Sequence, residues 1–209
     1  MEDETLTFNA LLAAAERGDI GAISAQVATG FDVHTTNAHG ESVLSMLLSN
    51  LVTDEENPAS HRYEVVRALL ALGFDPNQLD PERAGALTEA MLGRDAQMLR
   101  LLLEAGARPN DVSEFFPEDT LFDWAMIDYL FETWNINETP FAELTDSDNA
   151  SVDQWLAWID RMAVKHHRRR PDCLLVLREH GARTRVELAA PPEHHDSRAA
   201  PLQVSLRPE

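Results

Sequence analysis

Apolar residues recur along this chain in helix-length runs, and four of those runs stop in nearly the same way. In "LLLEAGARPN" (101–110) an apolar run is followed by a small residue, a glycine and a short polar turn. The same order returns in "VATGFDVH" (27–34), "LLALGFDPN" (69–77) and "LREHGART" (177–184). A glycine just past an apolar periodic segment reads as a helix end closed in the left-handed region, where a side chain is disfavoured. The pattern therefore predicts second helices ending ahead of Gly30, Gly73, Gly106 and Gly181, and an all-α fold.

Two segments break the rhythm. "NLVTDEENPASH" (50–61) carries Pro58 and three consecutive acids and reads as an exposed loop. The longer break covers 135–169. Within it Ser151-Val152-Asp153-Gln154 has the form of a helix-opening capping box. Val152, Trp155, Leu156, Ile159, Met162 and Ala163 then fall on one helical stripe, which predicts a helix over 151–167 packed on the end of the array. The stretch before it reads as a loop with one short helical turn.

The turn glycines are 43, 33 and 75 residues apart. The middle spacing is the period of the ankyrin repeat, and insertions in two units account for the others. "AAERGDIGAISAQVATGFDVHTTNAHGES" resembles that family's pattern at Gly18, Asp19, Ile20, Gly30, Asp32, Val33, Gly40 and Ser42. A second unit opens at "SVLSMLLS" and resumes at "RYEVVRALLALGFDPN". A third is "GALTEAMLGRDAQMLRLLLEAGARPN". A fourth opens at "TLFDWAM" and closes at "RPDCLLVLREHGART". The resemblance covers roughly residues 6–186 and implies a solenoid of about four helix-turn-helix units. One helix pair cannot bury its apolar face alone, and stacked neighbours do so. The expected organisation is an array over 1–186, with inserts at 50–61 and 135–169, and a disordered tail over 187–209. The family's Thr-Pro-Leu-His signature is degraded, with Leu12, Ser45, Thr88 and Asp123 at the histidine position. Weaker helix capping and an irregular array are expected. Arg83 stands where a hairpin glycine belongs, so that hairpin is expected to differ in shape.

Charge changes the picture of function. The chain of 209 residues carries a formal net charge of −19, and the excess is uneven. Residues 111–160 hold thirteen Asp or Glu and no Lys or Arg, whereas 161–209 hold ten bases and six acids. Such a chain repels nucleic acid and anionic lipid and attracts basic proteins or cations. The same excess also reads as a solvated face that aids solubility. The basic run "KHHRRRP" (165–171) is expected to pair with the acids and close the second insert down. One cysteine excludes an internal disulfide and suits a reducing compartment. The acidic start lacks the basic segment of a secretory signal, and no apolar run approaches the ~18 residues of a membrane span. A cytoplasmic location and a monomer are expected.

Catalytic motifs are missing: there is no GxSxG, P-loop, HExxH, CxxC or dinucleotide-binding glycine pattern. Cys173 reads as a small buried hydrophobe, and the adjacent His pairs 166–167 and 194–195 do not share a helix face. No cofactor, no metal and no enzymatic activity are expected. The resemblance implies an interaction module. Its candidate partner is a basic protein, bound so as to inhibit or neutralise it, as an immunity protein neutralises a toxic enzyme; a general adaptor or regulatory subunit is the alternative, and an enzyme built on the 135–169 insert a remote one. Both inserts fall between the helices of their units, hence on one edge. The candidate contact residues are Asp54, Glu55, Glu56, Phe115, Phe116, Glu118, Asp119, Asp123, Asp128, Trp134, Glu143, Asp146 and Asp148, with the carboxylates steering the partner and Phe115, Phe116 and Trp134 as apolar anchors.

Overall fold

The structure is a computed structural model. It describes residues 2–50, 59–81, 84–111, 119–134 and 138–190, and among these it is all-helical, with ten α-helices and no strand. In chain order these are α1 (Glu2–Glu16), α2 (Ile20–Ala28), α3 (Val43–Asn50), α4 (Ala59–Ala71), α5 (Ala86–Leu92), α6 (Ala96–Glu104), α7 (Leu121–Trp134), α8 (Val152–Lys165), α9 (Asp172–Glu179) and α10 (Arg185–Ala189). A short 3-10 turn, Phe141–Glu143, precedes α8.

The four glycines lie where the apolar pattern put them, two residues beyond α2, α4, α6 and α9, with φ between 85° and 105°. Each closes its helix with the same pair of hydrogen bonds. At α6 the Gly106 N–H donates to the Leu103 carbonyl at 3.0 Å and the Ala107 N–H to Leu102 at 2.9 Å. The bonds Gly30–Val27 with Phe31–Gln26, Gly73–Leu70 with Phe74–Leu69, and Gly181–Arg178 with Ala182–Leu177 repeat it. This is the Schellman closure, and it satisfies carbonyls that the helix end would otherwise leave unpaired.

The helices pack as two rows. α1 lies on α3 and α3 on α5; α2 lies on α4, α4 on α6 and α6 on α9. The rows join within pairs, α1 on α2, α5 on α6 and α7 on α9. The core runs between them and is aliphatic: Leu11, Ile23, Leu44, Leu47, Leu48, Leu69, Met98, Leu99 and Leu102 are at most 1% exposed. Burial of each such side chain is worth about 1.5–3 kcal/mol, which is how helices of seven to fifteen residues, marginal in isolation, become stable together. The turns inside the first and third pairs are shared economically. The Asp19 N–H closes α1 on Ala14 while its carboxylate caps α2 at Ala22 N, and Asp95 does the same between Ala90 and Met98.

Three sequence expectations need correction. Helix starts are capped better than the degraded signature suggested. Ser42 Oγ accepts from Ser45 N, and Thr120 and Asp123 cap each other reciprocally at α7, because Ser and Asp can take over the hydrogen bonds of the missing histidine. The loss remains at α5, whose N-cap Gly85 offers no side chain. The first insert is shorter than 50–61 at both ends, since Asn50 belongs to α3 and 59–61 to α4; a first helical turn needs no buried face, so periodicity does not mark it. Finally, the 186/187 boundary falls inside α10, which a full capping box of Thr184 and Glu187 holds through Ala189. Arg83 and the tail from 191 onward lie outside the described residues.

The inserted helix is α8, within the expected 151–167. Ser151 Oγ accepts from Gln154 N, and Val152, Trp155, Leu156, Ile159 and Ala163 are buried, joined by Trp158, which the stripe did not include. Phe141 of the 3-10 turn stacks on Trp158 at 6.1 Å.

Candidate partner-binding face

Asp54, Glu55, Glu56, Phe115, Phe116 and Glu118 lie outside the described residues. The other candidates are not an open acidic edge. Three of the six described acids among them, Asp128, Glu143 and Asp148, already have cations, and the basic run pairs as expected with acids around the insert, Glu138, Glu143 and Asp160. Glu143 accepts from Lys165 with His166 3.4 Å away, Asp148 accepts from Arg161 at 2.6 Å, and Glu138 from Arg168 at 2.6 Å. Arg170 holds Asp160 through two hydrogen bonds of 2.7 Å. The hydrogen bond from Lys165 holds Glu143 below the usual carboxylate range, and those from Thr145 and then Arg161 do the same for Asp148. Asp128 and Glu132, without a base near them in sequence, share Arg94 of the α5–α6 turn at 3.4 and 3.1 Å. Asp123 is spent on structure, accepting from the backbone N–H groups of Thr120 and Arg185. Asp119 is half-buried and Asp146 exposed, and neither has an ion-pair partner among the described residues.

Trp134 is 2% exposed. The side chain meets His166 edge-on at 5.8 Å and lies under the Arg168 guanidinium at 5.9 Å. It is part of what seats the insert, so it cannot serve as an exposed anchor. The reason is its place at the end of α7, where the basic run folds back over it.

Exposed apolar side chains lie elsewhere: Val164, Val186 and Leu188 on α8 and α10, and a group on α5 and α7. Leu92 is 49%, Ile127 42% and Phe131 52% exposed, and half-buried Trp124 lies one turn before Ile127 on α7. α7 is apolar almost all round. Leu121, Phe122, Ala125, Met126, Tyr129, Leu130, Thr133 and Trp134 take the buried face, which leaves Trp124, Ile127 and Phe131 at i, i+3 and i+7 for the other side. The sequence signal was available: α7 has more large apolar residues than one helix face can bury. The Arg94–Asp128 and Arg94–Glu132 pairs hold the end of α5, and so Leu92, beside this side of the molecule.

Chemistry is sparse among the described residues. Cys173 is 8% exposed and lines a cleft of about 80 Å³ with Arg94, Asp128, Tyr129 and Arg169. Burial pushes its thiol up to about 11, so it is protonated at neutral pH and a poor nucleophile. Tyr63 is pushed up to about 12, first by burial and then by the Asp95 carboxylate that its hydroxyl contacts at 2.9 and 3.0 Å. Among the described residues no three His, Cys, Asp or Glu side chains are placed to hold a metal ion, and no helix is long and apolar enough to cross a membrane. Neither a family model nor a curated protein matches the chain.

Proposed function

We propose that this protein is a non-enzymatic binding module of ankyrin type, and that it acts by occupying a basic protein partner. The carrying observation is the exposed apolar row Leu92, Ile127 and Phe131 in a setting rich in carboxylates. Large apolar side chains on the open side of a helix that already fills its buried side mark interaction surfaces. The repeat reading is supported by the four matching helix closures and by isolated bridges Thr36–Ser42 and Leu79–Gly85 in the connections to α3 and α5. It is also supported by Asn77 and Asn110, which make the same contacts to the next unit. The ion-paired insert shifts the proposed contact away from the insert edge toward the first-helix row. The small size, acidity and protonated buried thiol suit a neutraliser of a toxic basic enzyme better than a catalyst.

The test is capture from the native cell followed by reconstitution. A basic protein that rebinds stoichiometrically after purification, with affinity falling as salt rises, supports the module. Relief of that protein's toxicity on co-expression supports neutralisation. Failure of any captured protein to rebind stoichiometrically rejects the module.

A further inference from the structure

Equivalent positions on the first helices can be aligned by their N-caps, Ser42, Gly85 and Thr120. Four residues on stand Met46, Glu89 and Trp124, all half-buried; three further on stand Ser49, Leu92 and Ile127, all exposed. The helix ends give the same register for α1, where Gly18 matches Arg94 and so Glu16 matches Leu92. These positions make two parallel rows across the side of the molecule turned away from α2, α4, α6 and α9, with Phe131 extending the second row by one turn of the longer α7.

The helices that carry these rows share a charge property in their sequences. α1, α3, α5 and α7 together contain eight Asp or Glu and not one Lys or Arg. The second helices, by contrast, carry Arg62, Arg67, Arg100 and Arg178. On this side Asp128 and Glu132 have Arg94. The Glu89 carboxylate has no hydrogen-bond or ion-pair partner among the described residues. Burial holds its carboxyl above the usual range, and among the described residues Asp80 and Glu41 add to this by repelling its charge. A carboxylate in that setting gains from an incoming cation more than a solvated one does.

We propose that this face receives a basic amphipathic helix of the partner, with its apolar residues on Leu92, Ile127 and Phe131 and a Lys or Arg on Glu89. The proposal rests on the binding-module reading above. A helix suits the face because Ile127 and Phe131 stand four residues apart on α7, about 6 Å along its axis, the spacing at which a second helix presents its own i, i+4 anchors. The absence of bases from all four first helices sets the sign of the occupant.

The probes are three synthetic 18-residue helical peptides: one with a Leu face and a Lys face, one with Glu in place of Lys, and one with Ser in place of Leu. Binding is followed by tryptophan fluorescence and calorimetry at physiological ionic strength. The Leu/Lys peptide binds the wild type saturably at 1:1, and the other two bind at least tenfold more weakly. Ile127→Ser/Phe131→Ser lowers affinity at least tenfold, Glu89→Gln about threefold to tenfold, and the off-face control Glu104→Gln on α6, exposed and with the same charge change as Glu89→Gln, leaves it unchanged; circular dichroism verifies that each variant is folded. No saturable binding to the wild type overturns the proposal. So does a double variant within twofold of wild type, or a Glu104→Gln loss equal to that of Glu89→Gln, which would mean diffuse attraction only. The same variants separate the two levels of inference with the repurified native partner. Unchanged affinity of the double variant removes this face and leaves the module, whereas a partner that does not rebind wild type removes the module.

Discussion

Asn110 and Gly181 are 71 residues apart and directly bonded: the Asn110 amide donates to the Gly181 carbonyl at 2.9 Å, and its oxygen accepts from the Arg183 N–H at 2.8 Å. Asn77 repeats this on Gly106 at 3.1 Å and Arg108 at 2.8 Å. One amide thus ties the closing turn after α4 to that after α6, and a second ties the turn after α6 to that after α9, each using a donor and an acceptor together. Asn110→Ala is expected to cost about 1–2 kcal/mol, two exposed hydrogen bonds of modest net worth, read as a lower urea midpoint. Asn110→Asp should recover only part, because a carboxylate accepts from Arg183 N–H but cannot donate to Gly181. Equal stability of the Ala and wild-type proteins would show that the stitch carries no load.

The turn glycines make a sharper test of the backbone. A Cβ added at Gly106 or Gly181 meets nothing within 4 Å, so the cost of alanine there is conformational alone, about 1–2 kcal/mol for a left-handed residue. Arg94 occupies the equivalent closure of α5 at φ 53°, with the bonds Arg94 N–Met91 O and Asp95 N–Ala90 O. Arg94→Gly relieves that strain but removes the cation shared by Asp128 and Glu132. We expect a net change below about 1 kcal/mol, since half-exposed ion pairs are individually weak. Thermal denaturation of Gly106→Ala and Arg94→Gly side by side checks the asymmetry; a large loss in Arg94→Gly would mean that the pairs with α7 outweigh the strain.

Much of this architecture was legible because it rests on local rules. A glycine after an apolar run and a Ser-x-x-Gln start are each decided within a few residues, so Gly106 and Ser151 could be placed from sequence. The candidate surface was not, because it depends on partners distant in the chain. Asp128 read as available since its cation, Arg94, is 34 residues away. Trp134 read as an anchor since the basic run that covers it begins only after the inserted helix. Phe131 was legible in principle, but only by counting how many apolar residues of α7 one face can bury.

Trp134 should therefore behave as a core residue. Trp134→Ala is expected to cost about 3–5 kcal/mol, the range for buried aromatic truncation, and to loosen the insert, seen as faster amide exchange around Glu138 and Glu143. The Ile127→Ser/Phe131→Ser change removes two side chains that are only about half buried and should cost less, about 1.5–3 kcal/mol. If Trp134→Ala unfolds no more readily than wild type, the basic run does not seat on it.

Acid titration should separate two kinds of carboxylate. Asp148 and Asp153 are held below the usual aspartate range, Asp148 by Thr145 and Arg161, Asp153 by Arg178. A lowered folded pKa contributes stability that is fully present above the unfolded value, near 4, and is lost as pH falls through the folded value. Glu89 has the opposite sign. Its carboxyl is raised by burial first and then by Asp80 and Glu41, so its charge disfavours the fold at neutral pH and the penalty disappears as Glu89 protonates. Asp153→Asn should therefore lower the urea midpoint at pH 7 and converge with wild type below about pH 3. Glu89→Gln should raise the midpoint at pH 7 and converge as pH falls to about 4, the unfolded glutamate value. A Glu89→Gln protein less stable than wild type at pH 7 would mean that the carboxylate already has a favourable partner, and the cation-accepting role proposed for this face would lose its basis.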